Sequence, residues 1–343
     1  MSATEVDSSA GRDMLNIPKL SVVVLNYNYG RYLHECLAPI LEQTMPDFEL
    51  IIIDDCSSDN SLKILAQYEL DERVRMVIHS VNIGFVDSLI EGTNACRANL
   101  FTVISADDVV RQKDFFERVI KIMLTREDVA FCASGFDRFD DSGTFEQTVS
   151  FDRDTIIESR EAFERYMTTQ TLPVIHSGVV INRKFYDLAG GYNPSIAAAV
   201  DVTMWAKLCA LGGVGYVASD AIGWRQHSGQ MTAHPGRLLR DARDVFTGFS
   251  EACDLAQANG LPGHSLRRPA LQQAILRQAV VEAFGSSQRL ALLRSLAALR
   301  LHPQLSFTAR DFWVVILRVT LGRRGFAALR SFKRIGSLSG GLS

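Results

Sequence analysis

The sequence has little that would place it in a membrane, in a secretory pathway or around a structural metal. Its six cysteines include no Cys-x-x-Cys pair, which argues against a zinc site or a disulfide framework and suits a reducing compartment. No uninterrupted apolar run approaches the ~18 residues that a membrane-spanning helix needs. The first 13 residues are polar and acidic, without the apolar core of a signal peptide. We therefore expect a cytoplasmic protein, and a length of 343 residues suggests roughly two domains.

Motifs for covalent catalysis and for dinucleotide binding are also missing. The sequence has no Gly-x-Ser-x-Gly motif and no convincing Cys-His arrangement, so a covalent enzyme intermediate is not expected. The glycines at 212, 213 and 215 lack the Gly-x-Gly-x-x-Gly spacing and are expected to form a turn.

The charges are unevenly distributed along the chain. The formal net charge is −3, but the residues from Leu261 onward carry 13 basic and 2 acidic side chains, a balance of +11. The preceding 260 residues carry 23 basic and 37 acidic side chains, a balance of −14. Such asymmetry indicates an anionic partner for the basic segment.

An anionic membrane surface is one candidate for that partner. The apolar run Phe312 to Leu317 is flanked by arginines and is too short to span a membrane, but it suits a helix lying in the interface. We therefore expect peripheral binding to the inner face of a membrane, with an ordinary helical subdomain as the open alternative. Nucleic acid is not expected, because the segment lacks interleaved aromatic residues and a known reader motif.

Three short apolar runs, each followed by polar residues, predict parallel strands. The runs are Leu20 to Leu25, Leu50 to Ile53 and Phe101 to Ile104. The polar clusters that follow them are Asn26 to Asn28, Asp54 to Asp59 and Ser105 to Asp108. Because ligands of open α/β sheets bind beyond the carboxyl ends of the strands, we expect the three clusters to converge on one edge.

The pattern divides the chain into three regions. Residues 1 to 18 are expected to be disordered, residues 19 to 234 alternate between strands and helices, and residues 235 to 343 are mostly helix-like. The predicted helices of the middle region are Arg31 to Gln43, Ser61 to Leu70, Phe85 to Ala98, Lys113 to Thr125, Arg160 to Met167, Arg183 to Ala189 and Val200 to Leu211. Further strands are predicted near Val129 to Ala133, Gly178 to Ile181, Gly215 to Val217 and Ala221 to Arg225.

The polar clusters also have structural explanations. Ser57, Ser58 and Asp59 suit the turn and cap that the next helix needs, and this alternative stays open. Asp107 and Asp108 are harder to explain in this way, because adjacent carboxylates at a sheet edge repel one another without a counter-ion. The pair therefore favours a site for a divalent metal and a nucleotide diphosphate.

The order and spacing of these clusters resemble those of the family 2 glycosyltransferases with a GT-A fold. The matching segments are Val22 to Asn28, Gln43 to Asp59, Asn82 to Gly84 and Ser105 to Asp108. The resemblance implies an α/β fold with a Rossmann-like sheet sandwiched by helices, followed here by an α-helical C-terminal region. It also implies transfer of a sugar, with inversion, from a nucleotide diphosphate donor to an acceptor hydroxyl. The donor would be a UDP-sugar, the acceptor a glycan or lipid-linked glycan, and the cofactor Mn²⁺ or Mg²⁺.

The resemblance assigns the donor-binding residues individually. Tyr27 stands where the family contacts the nucleotide base. Asp55, with Asp54 beside it, stands where a carboxylate accepts the uracil N–H, a role that suits an acceptor-only group. Asp107 and Asp108 fall on the D-x-D-type motif, whose last acid holds the metal that bridges the phosphates.

The resemblance also implies that Asp201 is the general base for the acceptor hydroxyl. Asp201 opens a predicted helix in which Met204, Trp205 and Leu208 follow the spacing of an inward face, as in the family's acid-plus-tryptophan motif. An acid stabilised by the helix dipole is the open structural alternative. His227, in a segment that resembles the family's closing motif, is a candidate metal ligand or a hydrogen-bonded structural residue.

Two departures from the family pattern leave other functions open. Ser105 replaces the first acid of the D-x-D motif, and Val200 replaces the glutamate that usually precedes the base. They leave the metal dependence open and keep a catalytically silent nucleotide-sugar binding protein as an alternative. A sugar nucleotidyltransferase is less favoured, because Asn26 to Gly30 lacks a basic, glycine-rich phosphate loop.

Overall fold

The computed structural model describes residues 17–147, 151–169, 172, 174–196, 199–230, 238–267 and 270. These residues form two compact units. The first unit holds the described residues up to 162 and those within 171–194 and 211–226, and the second holds those within 163–170 and 195–210 and from 227 onward. Almost all of the predicted disordered tail, and the basic segment beyond residue 270, lie outside the described residues. The predicted domain boundaries after residues 18 and 234 stay predictions.

The first unit is built on a ten-stranded sheet, within the part of the chain that the structure describes. The strands follow the order β3-β2-β1-β4-β9-β6-β10-β5, while β7 pairs with β6 and β8 with β10. They are β1 (Leu20–Asn26), β2 (Phe48–Asp54), β3 (Val74–Ile78), β4 (Leu100–Ser105), β5 (Val109–Val110), β6 (Val129–Asp140), β7 (Gly143–Gln147), β8 (Thr155–Ile157), β9 (Val180–Asn182) and β10 (Gly213–Arg225). The three strands predicted from the apolar runs are confirmed as β1, β2 and β4.

The helices follow the predicted ones closely. They are α1 (Gly30–Leu41), α2 (Ser61–Leu65), α3 (Phe85–Ala95), α4 (Phe115–Thr125), α5 (Ser159–Glu164), α6 (Arg183–Leu188), α7 (Val200–Leu211) and α8 (Leu238–Ala258). α2 is shorter than predicted because a 3₁₀ turn at Ala66–Tyr68 follows it. Among the described residues, no helix is long and apolar enough to cross a membrane.

Helices cover the sheet on both faces. One buried core combines alternate residues of the central strands with α1 and α4, among them Val22, Val24, Leu50, Ile52, Leu33, Leu37, Ile40, Phe116 and Val119. The intervening residues face α3, where a Cβ at Gly92 would lie 2.6 Å from Cγ1 of Val23 and 3.3 Å from Cγ1 of Ile53. This division follows from the two-residue period of a strand. Burial of each large apolar side chain contributes about 1.5–3 kcal/mol, so both layers hold the strand ends in place.

The register of the central strands brings the predicted polar clusters to one edge. β1 runs parallel to β2 with Asn26 opposite Asp54, and parallel to β4 with Leu25 opposite Ser105. The residues that follow these three strands therefore leave the sheet side by side. This confirms the convergence that the apolar runs predicted.

In the second unit, α7 and α8 approach each other closely. A Cβ on Gly248 of α8 would lie 2.2 Å from Cβ of Thr203 on α7. The hydroxyl of Tyr166 donates a hydrogen bond to the carbonyl of Val202 (3.0 Å), and Nζ of Lys207 lies 3.4 Å from Oε2 of Glu251. These contacts hold the helix whose first turn carries Asp201.

Candidate active site

Asp54 ties the ends of β1 and β2 together. Its Oδ2 accepts a hydrogen bond from Nδ2 of Asn26 (2.6 Å), and its Oδ1 accepts one from the backbone N–H of Ser57 (2.8 Å). The side chain is fully buried. In the described residues Asp54 thus has a structural role at the site, and its contact with a nucleotide stays a prediction.

Asn28 and Asp59 connect the loop after β1 with the loop after β2 and contact the first residues of α1 and α2. Asn28 adopts a positive φ of 58°, and its Oδ1 accepts a hydrogen bond from the backbone N–H of Ser58 (2.7 Å). Asp59 accepts hydrogen bonds from the backbone N–H groups of Gly30 and Ser61, both at 2.9 Å, so it satisfies amides at the starts of α1 and α2. Partial burial raises the pKa of Asp59, but the hydrogen bond from the Ser61 hydroxyl and those from the two N–H groups lower it more, and the net shift is downward. Asp59 therefore has a structural role of the kind that the sequence left open, although the N-cap residue of α2, Asn60, makes no side-chain capping bond.

Asp55 and Tyr27 lie beside this loop. Oδ1 of Asp55 accepts a hydrogen bond from the N–H of Ile83 (2.8 Å) and lies 2.9 Å from Nδ1 of His79, while Oδ2 accepts one from the N–H of Gly84 (2.9 Å). The carboxylate therefore orders the loop before α3. Tyr27 is 49% exposed, which leaves its ring accessible for stacking. The contacts predicted for both residues with a nucleotide base stay predictions.

Asp107 and Asp108 form a buried turn after β4. Oδ2 of Asp108 accepts a hydrogen bond from the Ser177 hydroxyl, and Oδ1 accepts one from the backbone N–H of Arg225 (3.1 Å). Burial, and then the charge of Asp107, raise the pKa of Asp108 well above its usual range. Burial also raises the pKa of Tyr29, and the charges of Asp107 and Asp108 add to that effect. The turn therefore holds two adjacent carboxyl groups in a buried place, where full negative charge is costly without a cation nearby.

Arg225 supplies a positive charge at this turn. Its Nε donates a hydrogen bond to the carbonyl of Asp107 (2.9 Å), and its Nη2 pairs with Glu35. Its Cζ lies 4.4 Å from the ring centroids of both Tyr32 and Phe139. Arg225 ends a predicted strand, and its sequence neighbourhood predicts no role for it, because its hydrogen-bond partners are 117 to 190 residues away in the chain. Tyr32 and Glu35, two of the residues that contact Arg225, are close in sequence, and their spacing of three residues places them on the same face of α1.

The donor set of the turn suits a hard divalent cation. Such ions are commonly held by one or two carboxylates, with substrate phosphates completing the shell. Within the described residues, no group of three or more His, Cys, Asp or Glu side chains is arranged to hold a metal. The metal-binding roles of Asp107 and Asp108 therefore stay predictions, in which phosphates of a donor would supply the other ligands, and both oxygens of Asp108 also accept protein hydrogen bonds.

The other two predicted site residues belong to the second unit. Asp201 lies in the first turn of α7, where its side chain is partly buried. Nδ1 of His227 accepts a hydrogen bond from the N–H of Gly229 (3.2 Å), which favours the tautomer that carries the proton on Nε2. The proposed roles of Asp201 and His227 stay predictions.

Comparisons with known proteins agree with the motif order. Residues 21–188 match the family model described as Glycosyl transferase family 2. The chain is 28% identical to the chondroitin synthase of Escherichia coli over 199 residues, which are 57% of this chain and 27% of that protein. The chain spans about a third to a half of the length of the curated relatives that it matches first.

Solved structures agree with the fold. S. aureus TarS in complex with UDP-GlcNAc superposes with a TM-score of 0.59 at 14% identity, over 82% of this chain and 88% of that one. The mannosyltransferase PcManGT from Pyrobaculum calidifontis, in complex with GDP-Man and Mn²⁺, gives a TM-score of 0.53 at 16% identity, over 89% and 80%. The sheet flanked by helices is thus the GT-A fold that the sequence predicted. Residues 21–188 of this chain thus match glycosyl transferase family 2.

Proposed function

We propose that this chain transfers a sugar from a nucleotide diphosphate donor to an acceptor hydroxyl. The observation that carries the proposal is the buried Asp107-Asp108 turn at the carboxyl end of β4, beside the ends of β1 and β2. Structural neighbours with bound UDP-GlcNAc and GDP-Man support a donor of this class. We favour a UDP-sugar, because an acceptor-only carboxylate at Asp55 suits the N–H of uracil.

The proposed reaction is a direct displacement with inversion. Asp107 and Asp108 would hold Mn²⁺ or Mg²⁺, which when bound neutralises charge on the leaving diphosphate. Asp201 would accept the proton of the acceptor hydroxyl, a contribution typically worth ~10² to 10⁴-fold in rate. The exposed ring of Tyr27 would stack on the base of the donor. His227 would be a further ligand of the metal or would contact the diphosphate.

The acceptor is proposed to be a glycan or a lipid-linked glycan. A chondroitin synthase among the relatives supports a glycan acceptor, and the +11 balance beyond residue 260 supports an anionic membrane surface nearby. Each basic side chain near such a surface contributes ~1 kcal/mol, and salt screens that attraction. Flotation of the full chain with anionic vesicles at low salt, but neither with neutral vesicles nor at high salt, would support this location. Equal flotation with neutral vesicles, or none with anionic ones, would remove it.

A catalytically silent nucleotide-sugar binding protein is the second candidate. It is favoured by Ser105, which takes the place of the first acid of the D-x-D motif, and by Val200 before the proposed base. A silent protein would bind a nucleotide diphosphate but release no free nucleotide when a donor and an acceptor are supplied together. An active transferase would release one nucleotide for each sugar transferred.

Thermal unfolding with a panel of nucleotide sugars tests the donor. A ligand that binds only the native state raises its stability, by about 2.7 kcal/mol at 100 times its Kd. We expect UDP and one or more UDP-sugars to raise the Tm, and Mn²⁺ to increase the effect. ADP-sugars and free monosaccharides serve as controls. No shift with any UDP- or GDP-linked compound, with or without Mn²⁺, would contradict the proposed function.

A further inference from the structure

Three arginines and two aromatic rings alternate in a continuous stack, which we call the arginine ladder. Its members in order are Arg31, Tyr32, Arg225, Phe139 and Arg111. Each guanidinium carbon lies 4.4 Å from the centroid of its neighbouring ring, so Tyr32 has a guanidinium on either side and so does Phe139. A cation over an aromatic face is attracted to it, more strongly when the pair is desolvated. Arg225, at the centre, is only 4% exposed.

The edges of the central guanidinium are held as well as its faces. Nε of Arg225 donates to the carbonyl of Asp107 (2.9 Å), and Nη2 pairs with Glu35. The backbone N–H of the same residue donates to Oδ1 of Asp108 (3.1 Å). One residue of β10 therefore contacts both acids of the turn after β4.

The next arginine of the ladder is anchored separately. Nε of Arg111 donates to Oδ1 of Asp137 (2.9 Å), and its backbone N–H donates to the carbonyl of Ala221 (2.7 Å). The Phe139 ring, between Arg111 and Arg225, is thus bounded by two fixed cations. This arrangement leaves the central guanidinium little freedom to rotate.

We propose that Arg225 is a positioning residue for donor binding, which it serves by holding the Asp107-Asp108 turn in the geometry that presents Asp107 to the diphosphate. The proposal rests on the proposed function. Only a planar guanidinium can lie between two rings and still direct Nε and Nη2 to fixed partners, so lysine cannot replace it. The rings of the ladder fix the orientation of the guanidinium plane. The hydrogen bonds from Arg225 to Asp107 and Asp108 then fix the position of the turn relative to that plane.

Two measurements on Arg225→Lys test this role. Hydrogen exchange without ligand reports on the turn, where the N–H of Asp108 donates to the carbonyl of Ser105 (2.9 Å), and we expect faster exchange across residues 105–110. UDP titration at several Mn²⁺ concentrations should show ~10 to 100-fold weaker apparent metal affinity, the usual loss when a residue that orients a metal ligand is changed. UDP binding in EDTA should change little.

Arg138→Lys is the matched control. Arg138 also stacks on an aromatic ring, that of Trp224, at 4.7 Å, but it pairs with Glu146. We expect this variant to match the wild type in both measurements. If Arg225→Lys does not fold, Phe139→Leu, which removes one ring of the ladder and keeps the hydrogen bonds of Arg225, takes its place with the same expected directions.

The outcomes separate the two proposals. Wild-type exchange over residues 105–110 together with an unchanged apparent Mn²⁺ affinity in Arg225→Lys would overturn the positioning role. A lower Tm with unchanged metal dependence would reduce Arg225 to a purely structural residue and also overturn it. If the wild type binds no nucleotide diphosphate, the proposed function fails, and exchange at the turn still decides whether Arg225 holds it.

Discussion

Nδ1 of His79 lies 2.9 Å from Oδ1 of Asp55, at the predicted base-binding end of the sheet. Its other nitrogen, Nε2, lies 2.8 Å from Oε2 of Glu91. Only a protonated imidazole can donate to both carboxylates at once. Burial lowers the pKa of His79, but the hydrogen bonds with Asp55 and Glu91 raise it more, and the net shift is upward.

This pair predicts a pH-dependent contribution to stability. Because the folded pKa of His79 is raised, its contribution is fully present below the unfolded pKa of about 6.5 and is lost as the pH rises through the folded value. We expect the Tm difference between the wild type and His79→Gln to be larger at acidic than at alkaline pH. His34→Gln is the matched control, because His34 contacts the hydroxyl of Tyr68 at the surface. A difference that does not vary with pH would contradict the ion pair.

UDP binding should depend on metal differently when Asp55, after β2, and Asp107, after β4, are replaced. Asp107→Ala is expected to weaken UDP binding in Mn²⁺ but to change it little in EDTA, because the lost contact would run through the metal. Asp55→Ala is expected to weaken binding in both, and to lower the Tm as well, because Ile83 and Gly84 lose the acceptor of their N–H groups. Calorimetry of both variants in Mn²⁺ and in EDTA makes the comparison, with Asp47→Ala as a surface control. Equal losses under both conditions for both variants would refute the separate assignments.

Asp201→Asn separates catalysis from helix stabilisation. As the general base, Asp201 is expected to contribute at least ~10²-fold to kcat, and its replacement should leave the donor Kd nearly unchanged. If the acid only stabilises the start of α7, the variant loses about 0.3–1 kcal/mol of stability and keeps its kcat. Steady-state kinetics and thermal unfolding of the same preparation distinguish the two. A variant with more than about half the wild-type rate would exclude Asp201 as the base.

Gly248→Ala tests the crossing of α7 and α8. In a free helix this change usually stabilises by roughly 0.5–1 kcal/mol. Here the new Cβ would meet Cβ and Cγ2 of Thr203 at 2.2 Å, so we expect a net loss of about 1–3 kcal/mol in the free energy of unfolding. Chemical denaturation measures the loss. The double variant Gly248→Ala with Thr203→Gly moves the small residue to the other helix and should recover part of it, whereas a stabilised single variant would show that the helices are not in close contact.

Local sequence was sufficient for the central strands and for most helices. Leu20 to Leu25, Leu50 to Ile53 and Phe101 to Ile104 became β1, β2 and β4, because a strand buried on both faces requires apolar residues at every position. The prediction was wrong about β10, which is one strand rather than two. The polar residues Ser219 and Asp220 interrupt its apolar pattern, and the strand absorbs them through register shifts against β6. The edge strand β3 was missed because its residues are only half-buried or exposed, so the apolar signal is weak.

The sequence by itself therefore determined the order of strands and helices, the polar clusters at the strand ends and the resemblance to the family whose model matches residues 21–188. It also led us to expect that Asp107 and Asp108 need a counter-ion. Only the tertiary structure showed which residue of the chain supplies positive charge beside them. The charge comes in part from Arg225, which lies 117 residues from Asp108 and 190 from its partner Glu35. The periods of helices and strands depend on residues within a few positions of one another, so they can be read directly from the sequence. Contacts between residues so far apart depend on how the whole sheet packs, and only the folded chain decides them.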